Sequence, residues 1–297
     1  MLNIAIVGYG NIGKHVMEAI DAAKDMELVG IVMRPQSVGK VAISTVPVVD
    51  DINKLSPKPD VAILCTPTRA IPAVAKVCLE QGIATIDSYD IHGSIWDLRN
   101  ELDMYAKKGG TTAIISTGFD PGGDSVIRAM MEIFAPQGKT YTNFGPGMSM
   151  GHTVAVKAIE GVKNALSVTI PVGTGIHRRL VYITLEDGYN FDEVCAKIKA
   201  DPYFTNDETH FYEENDIDAL IDVGHGVNMV RKGVSGKTHN QMLEYNMRIN
   251  NPALTAQVMV SCARACNKQA PGAYTMIEIP LIDILYGDKE ALVRRLV

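Results

Sequence analysis

The stretch LNIAIVGYGNIG, residues 2–13, joins an apolar run to three spaced glycines and then to a helical pattern. Gly8 allows a tight turn, Gly10 leaves the backbone open to a pyrophosphate, and Gly13 lets a helix pack closely on the strand. A second apolar run, residues 28–33, follows at the spacing of a β-α-β unit. The pattern predicts a dinucleotide-binding domain. The predicted cofactor contacts in this turn are Gly8, Gly10, Asn11, Ile12 and Gly13.

The end of the second strand indicates which dinucleotide is bound. An NAD site usually places an acidic residue there for the ribose hydroxyl, whereas a 2′-phosphate needs a cation instead. The segment after residue 33 has no carboxylate but contains Arg34, Ser37 and Lys40, which can bind a phosphate. NADP is therefore the predicted cofactor, with Arg34 and Ser37 as contacts. The alternative is a solvated Arg34 in an NAD enzyme that lacks the acidic residue.

Composition narrows the classes of protein. The 297 residues are 46% hydrophobic and 21% charged, which is ordinary for a globular chain of two domains. A net charge of −6 without a basic cluster disfavours nucleic acid and anionic membranes as partners. The absence of a leader-like segment and of a run of about 20 apolar residues predicts a cytoplasmic protein.

The five cysteines do not form a recognisable metal or disulfide pattern. They lie in apolar segments, and the pair Cys262 and Cys266 has no neighbouring His or Cys pair to complete a zinc site. We therefore predict buried free thiols and no metal.

Two acidic residues follow later strands of the first domain. Asp90 comes after the apolar run 83–89, and Asp120 follows the run 112–117 within a glycine-rich turn. Ligands in parallel sheets bind beyond the carboxyl ends of the strands, so both acids are candidates for the substrate site. The alternative for Asp90 is a turn or helix-capping carboxylate. Further cofactor contacts predicted at these strand ends are Cys65, Thr66, Pro67, Thr68, Ser88 and Tyr89.

The regular alternation of strands and helices fades after residue 120. A run of strands with few helices then predicts an α+β domain with a mixed or antiparallel sheet, on which a dimer interface could form. Segment 145–152 is glycine-rich and is predicted to be a bend that approaches a ligand, with a purely structural loop as the equal alternative. The predicted division is residues 1–120 with 268–297 for the α/β Rossmann-like dinucleotide-binding domain, and 121–267 for substrate binding and dimerisation.

Four polar residues are scattered through the second domain, and each has an ordinary explanation. Arg179 could face solvent beside Arg178, His225 lies in a predicted flexible turn, and Asn251 could cap a helix over 253–268. Periodicity does not indicate whether these residues and Thr169 converge.

Several longer motifs carry a family resemblance. They are DSYDIHG around Asp90, STGFDPG around Asp120, NFGPGMSMGH from Asn143, IHRR around Arg179, DVGHG around His225 and RINNPALTAQVM around Asn251. With these motifs the chain resembles the meso-diaminopimelate dehydrogenases, in detail their thermophilic, broader-specificity branch. The resemblance implies a homodimer that uses NADP to deaminate meso-2,6-diaminopimelate at its D-centre, giving L-2-amino-6-oxopimelate and ammonia.

The resemblance also implies a role for each site residue. Asp90 and Asp120 would be the catalytic acids that hold the ammonium of the D-centre. The backbone of the 147–151 bend would receive the adjacent carboxylate. The other substrate-binding residues would be Phe144, Met150 and Gly151 beside the D-centre, and Thr169, Arg179, His225 and Asn251 at the far end.

One departure from the family pattern bears on specificity. Better-known members have Trp at the positions of Phe119 and Phe144, so the pocket is expected to be roomier here. An NADP-dependent D-amino acid dehydrogenase of broad range is therefore an alternative. A non-catalytic NADP-sensing module is a second alternative, which the presence of both Asp90 and Asp120 disfavours.

Overall fold

The computed structural model describes residues 1–41, 43, 45–221 and 225–297, with only the backbone described for residue 225. In chain order the elements are β1 (Leu2–Val7), α1 (Asn11–Asp21), β2 (Met26–Val32), β3 (Val48–Val49), β4 (Val61–Leu64), α2 (Ile71–Glu80), β5 (Ala84–Asp87), α3 (Ile95–Gly109), β6 (Thr112–Ile115), α4 (Gly123–Phe134), β7 (Gln137–Met148), α5 (Met150–Lys157), β8 (Val162–Gly173), β9 (Ile176–Leu185), α6 (Phe191–Ala200), β10 (Glu208–Glu213), β11 (His225–Ser235), β12 (Thr238–Ile249), α7 (Asn251–Ala263), β13 (Gly272–Thr275), α8 (Leu281–Ile284) and α9 (Lys289–Leu296). They belong to two structural units, Met1–Ala129 with Pro252–Val297, and Met130–Asn251.

The first unit contains a parallel sheet in the order β13-β6-β5-β4-β1-β2-β3. Alternate residues of β1 enter different cores, because successive side chains of a strand point to opposite faces. Ile4 and Ile6 lie in one apolar cluster, and Ala5 and Val7 lie in the other. The sheet is therefore covered on both faces, as expected of a Rossmann-like fold.

Helices supply the cover on each face. The first cluster contains Val16 and Ile20 from α1, whereas the second contains Leu79 from α2 and Leu102 from α3. These buried positions recur at helical spacing, which explains why the segments form amphipathic helices against the sheet.

Helix α7 packs in the first unit, whereas the sequence prediction placed it in the second domain. The sequence division placed residues 252–267 in the second domain, but Ala256, Met259 and Cys262 are fully buried in the same cluster as Ile4 and Ile6. The first unit also extends through Ala129, nine residues past the predicted limit of 120. Apolar patterning identified the helix correctly but carries no information on which sheet it covers.

The second unit contains a mixed sheet in the order β10-β9-β8-β7-β11-β12. Strands β9 and β10 pair in parallel, and the other neighbours are antiparallel. Its core joins Val156 of α5 and Ile198 of α6 to Val181 and Ile183 of β9. The predicted α+β class with a mixed sheet is confirmed.

Two local predictions in the second unit were wrong. The glycine-rich segment 145–152 is not a free bend, because β7 continues to Met148 and α5 begins at Met150. Gly145 makes this possible, since its φ of +97° is open to glycine and a side chain there would collide with the Thr169 carbonyl. The second error concerns His225, whose backbone begins strand β11 rather than lying in a turn. The preceding residues 222–224 are outside the described part of the chain.

The cysteines agree with the sequence prediction only in part. Cys78, Cys262 and Cys266 are buried free thiols, whereas Cys65 and Cys195 are partly exposed. Burial raises the pKa of the Cys78 thiol to about 12. In the described part of the chain, no helix combines the length and apolar character needed to cross a membrane.

Candidate active site

The glycine turn after β1 has the geometry of an anion cradle. Gly8 has a φ of +95°, and a Cβ on it would lie 2.5 Å from the Cys65 carbonyl oxygen at the end of β4. Gly13 abuts the backbone of Gly8 in the same way, whereas a Cβ on Gly10 would meet no atom of the chain within 4 Å. Helix α1 starts here without a side-chain cap or an acidic residue in its first turn, so its first N–H groups suit a phosphate.

The ends of neighbouring strands lie at the same edge as this turn. Strand β1 stands between β4 and β2, which is the point where the strand order changes direction. Thr66 follows β4, and its buried hydroxyl oxygen has no hydrogen-bond partner among the described residues. The predicted contacts Cys65, Thr66, Pro67 and Thr68 therefore belong to the rim beside the glycine turn.

Arg34 is exposed at the end of β2, immediately before a 3-10 turn over Pro35–Ser37. The Ser37 N–H donates to the Arg34 carbonyl at 2.8 Å, which places both residues on one short turn. Among the residues that the structure describes, Arg34 has no ion-pair partner within the salt-bridge distance. Its guanidinium remains available to a phosphate or to solvent.

Asp90 is exposed just past β5 and contacts the 3-10 turn that follows the neighbouring strand β4. The Thr68 hydroxyl donates to Asp90 Oδ1 at 2.6 Å. The rim continues to β6, because a Cβ on Gly118 would lie 3.4 Å from Cβ of Ser88. The glycine turn, Asp90 and the turn that carries Asp120 thus form one continuous edge of the first unit.

Asp87 organises this edge and was not predicted from the sequence. Its buried Oδ1 accepts the N–H of Tyr89 at 2.9 Å and that of Ser116 at 3.0 Å, so it joins the turns after β5 and β6. Burial raises the pKa of Asp87 to about 6, although the two N–H groups act in the opposite direction. A carboxylate at the last position of a buried strand was the available signal, because such a group needs hydrogen-bond donors.

Asp120 belongs to a second acidic arrangement that the sequence reading missed. Arg128 places Nη2 2.7 Å from Asp124 Oδ2 and Nη1 3.6 Å from Asp120 Oδ1. Burial, followed by the charge of Asp120, raises the pKa of Asp124 to about 8, while Arg128 opposes the shift. The signal was present in the sequence, since Asp124 and Arg128 are four residues apart on one face of a helix.

In the second unit, the register between neighbouring strands brings together residues that are far apart in the sequence. Arg179 of β9 is paired with Thr169 of β8, Thr169 with Gly147 of β7, and Gly147 with His225 of β11. The four backbones form one row across the sheet. The side chain of His225 lies outside the described residues, and Asn251 follows two positions after β12 at the start of α7.

Arg179 is the charged centre of this row. The residue is 9% exposed, its Nη1 donates to the Thr169 hydroxyl, and its Nε donates to Asp207 Oδ2 at 2.6 Å. Asp207 was not predicted, because it precedes β10 and no periodicity connects it to Arg179. With two edges of the guanidinium fixed, the remaining N–H groups are oriented for another acceptor.

His152 lies next to this ion pair in a neutral form. Burial, with a contribution from the Arg179 charge, lowers the pKa of His152 to about 4. Because a carbonyl can only accept, Nε2 carries the proton and donates to the Tyr203 carbonyl at 3.0 Å, while Nδ1 accepts from the Ser149 hydroxyl at 2.8 Å. His152 therefore fixes the first turn of α5 without adding charge.

Phe144 lies in β7, and Met150 and Gly151 begin the helix α5 that follows this strand. The Phe144 N–H donates to His177 Nε2 at 2.7 Å, and the two rings are 5.6 Å apart. Met150 and Gly151 are the first two residues of α5, and Gly151 approaches the ring of Tyr203. The three residues thus occupy the end of β7 and the beginning of the helix that follows it.

The fold and the rim of the first unit define the class of protein as a Rossmann-fold oxidoreductase. Residues 2–111 match the oxidoreductase family with an NAD-binding Rossmann fold, and residues 118–251 match the diaminopimelic acid dehydrogenase C-terminal domain. A meso-diaminopimelate D-dehydrogenase of Bacteroides fragilis is 62% identical over 294 residues, which cover 99% of this chain and 98% of that protein. The chain belongs to the meso-diaminopimelate D-dehydrogenase family.

Solved structures agree with this assignment. A C. glutamicum DAP dehydrogenase in complex with DAP superposes with a TM-score of 0.90 at 27% identity, covering 100% of this chain and 99% of the other. An engineered D-amino acid dehydrogenase bound to NADP⁺ gives 0.87 at 27% identity, with the same coverage. The fold class and the family predicted from the sequence are confirmed.

Proposed function

We propose that the chain catalyses the reversible, NADP-dependent oxidative deamination of meso-2,6-diaminopimelate at its D-centre, giving L-2-amino-6-oxopimelate and ammonia. The observation that carries the proposal is the position of Asp90 and Asp120 on the rim that also holds the glycine turn. A substrate amine bound by these acids would lie beside a dinucleotide bound by that turn. Membership of the family makes diaminopimelate the substrate of choice.

The residues of the rim fit a dinucleotide with a 2′-phosphate. Gly10 leaves open space where a side chain would block the pyrophosphate, and the partnerless Thr66 hydroxyl can bond to a ligand. Arg34 and Ser37 would hold the 2′-phosphate, and Ser88 and Tyr89 would complete the contacts. The bound nicotinamide supplies the hydride acceptor.

The acids would prepare the amine for oxidation. A protonated amine has no lone pair with which to form an imine, so a proton must leave before the α-carbon is oxidised. Asp90 and Asp120 bind the ammonium, and one of them accepts its proton. Water then hydrolyses the imine to the keto acid and ammonia.

The row in the second unit would bind the remainder of the substrate. Arg179 and Thr169 bind the distal carboxylate, and His225 and Asn251 bind the amino acid group of the L-centre. Phe144, Met150 and Gly151 line the part of the pocket beside the D-centre. Recognition at both ends distinguishes the diacid from simple amino acids, because a missing carboxylate leaves buried polar groups unpaired.

We also propose that the chain belongs to the thermophilic, broader-specificity branch of the family. Phe119 and Phe144 occupy less volume than the Trp residues implied for other members, which leaves space for other D-amino acids. The likeness to an engineered D-amino acid dehydrogenase is consistent with this breadth. A homodimer in the cytoplasm, without nucleic acid or membrane partners, remains part of the proposal.

Arg34→Ser is expected to raise KM for NADP by about 10- to 100-fold, the equivalent of one lost charge-assisted interaction. KM for NAD should change little, because NAD has no 2′-phosphate. Steady-state kinetics with both cofactors provide the measurement, and Arg295→Ser, an exposed arginine of α9, is the matched control. An equal change for the two cofactors would contradict the role of Arg34.

Asp207→Asn is expected to raise KM for diaminopimelate by about tenfold with a smaller effect on kcat, because it weakens a charge-assisted bond that orients Arg179. The matched control is Glu208→Gln, which removes the neighbouring negative charge that binds partly exposed Arg178 at 2.9 Å. Steady-state kinetics should show the raised KM for diaminopimelate in Asp207→Asn and not in Glu208→Gln. An unchanged or lower KM for Asp207→Asn would contradict the orienting role.

The proposed reaction is tested by incubating the purified chain with NADP and each diaminopimelate stereoisomer while following absorbance of the reduced nicotinamide. Reduction with the meso isomer and none with the LL isomer is expected. Activity on LL, or inactivity on meso, would overturn the proposal. Higher kcat/KM for several monocarboxylic D-amino acids than for meso-diaminopimelate would favour the broad-range alternative, and cofactor binding without any turnover would favour a sensing module.

A further inference from the structure

Asp124 is a fully buried acid that the proposed reaction does not use. It is the second residue of α4, its exposed fraction is 0%, and its carboxylate lies 2.7 Å from Arg128 on the next turn. The same guanidinium is 3.6 Å from Asp120, on the turn before the helix. One arginine therefore faces two carboxyl groups.

Two ionised acids would leave this arrangement short of hydrogen-bond donors. Asp120 Oδ1 and Asp124 Oδ2 are buried atoms. Apart from their ion pairs with Arg128, they accept no hydrogen bond from the described part of the chain. Both carboxyl groups lie within ion-pair distance of the same guanidinium, and the charge of Asp120 raises the pKa of Asp124. A proton on one carboxyl would satisfy both oxygens, and it would remove the repulsion of two buried negative charges.

We propose that Asp124 is a positioning residue for Asp120, and that the two carboxyl groups hold a single proton between them at neutral pH. The inference rests on the role of Asp120 in the proposed function. The pair then presents one negative charge to the substrate amine, balanced by Arg128. The hydroxyl of the protonated Asp124 donates to Asp120 and fixes the direction in which the free Asp120 oxygen points.

Within the described residues, the Asp124 carboxyl interacts with Asp120, Arg128 and the Ser125 hydroxyl, which donates to Oδ1 at 3.3 Å. Next to the acids, a Cβ built on Gly118 would approach Ser88 after β5 and Thr255 of α7, and one built on Gly123 would approach Val258 of α7. None of these three carries a titratable side chain.

Proton sharing has a definite effect on stability. An unfolded Asp titrates near its ordinary pKa of 3.8, whereas the folded Asp124 keeps its proton up to a pKa of about 8. Between these values the folded chain binds more protons than the unfolded chain, so wild-type stability falls as pH rises. An Asn at this position mimics the protonated carboxyl but does not titrate, so Asp124→Asn should not lose this stability as pH rises.

The experiment measures Tm of the wild type, Asp124→Asn and Asp97→Asn between about pH 5.5 and about pH 8.5. Asp97 is an exposed acid in the first turn of α3 and is the matched control. The difference in Tm, Asp124→Asn minus wild type, should increase by about 3 °C or more as pH rises across this range. The same difference for Asp97→Asn should stay constant. If Asp124→Asn is less stable than the wild type by the same margin at every pH, Asp124 is an ordinary ionised partner of Arg128 and the proposal is overturned.

A second measurement needs only the wild-type chain. At about pH 7 the Asp87 carboxyl, with a pKa of about 6, is mostly ionised, so strong infrared absorption by a protonated carboxyl should come from the Asp120–Asp124 pair and should disappear by about pH 9.5. Its absence at neutral pH would also overturn the proposal. Both measurements are independent of turnover, so inactivity towards diaminopimelate would contradict the proposed function without deciding whether the proton is shared.

Positioning is tested by comparing two variants. Because Asn keeps a hydrogen-bond donor for Asp120, Asp124→Asn should retain about tenfold more kcat than Asp124→Ala. Equal losses in kcat would show that the donor is irrelevant and would contradict the positioning role.

Discussion

Asp120→Asn is expected to lower kcat/KM for meso-diaminopimelate by about 10³-fold, within the range usual for loss of a general base. The substitution removes the charge that binds the ammonium and the group that accepts its proton. Asn keeps nearly the same shape, so Arg128 and the turn before α4 should stay in place. The measurement is steady-state deamination at saturating NADP.

Cofactor affinity provides the control for this variant. Asp120 follows β6, which β5 and β4 separate from β1 and its glycine turn, so fluorescence titration with the reduced cofactor should give an unchanged Kd. A kcat/KM within about threefold of the wild-type value would show that Asp120 is not the proton acceptor. Asp90→Asn would then become the variant to examine, since Asp90 lies on the same rim.

Arg179→Ala should raise KM for meso-diaminopimelate by about 10²- to 10³-fold, because it removes the cationic fork and leaves buried Thr169 and partly exposed Asp207 without this partner. A monocarboxylic D-amino acid has no distal carboxylate, so its KM should change much less. Steady-state kinetics on the two substrates measure the difference directly.

The neighbouring residue is the matched control. Arg178 lies on the same strand, is more exposed, and pairs with Glu208. Arg178→Ala should leave both substrates nearly unaffected. A comparable loss on both substrates in Arg179→Ala would indicate a general structural role and would contradict binding of the distal carboxylate.

Much of the first unit follows from local sequence. The spacing of Gly8, Gly10 and Gly13 reports backbone constraints that act within one turn, and these are the constraints found in the structure. The position of Asp90 at the rim also follows, because parallel strands end at one edge. Asp87 and Asp124 were missed, since their roles depend on burial and on partners from neighbouring turns.

The row in the second unit could not be derived from patterning. Arg179 and Thr169 meet across one hairpin, but Gly147 and His225 join them only through the register of β7 with β8 and β11. Register depends on which strands become neighbours, and alternation within a single strand does not specify this. Motif resemblance supplied the residues, and the sheet shows how four of their backbones converge.

The proposed reaction requires that hydride leaves the D-configured α-carbon of meso-diaminopimelate. It is tested most directly with substrate carrying deuterium at that carbon alone, followed by mass analysis of the reduced cofactor. We predict one deuterium in each molecule of reduced nicotinamide for each molecule of ammonia released. Reduced cofactor without deuterium, formed at the same rate as ammonia, would contradict the account.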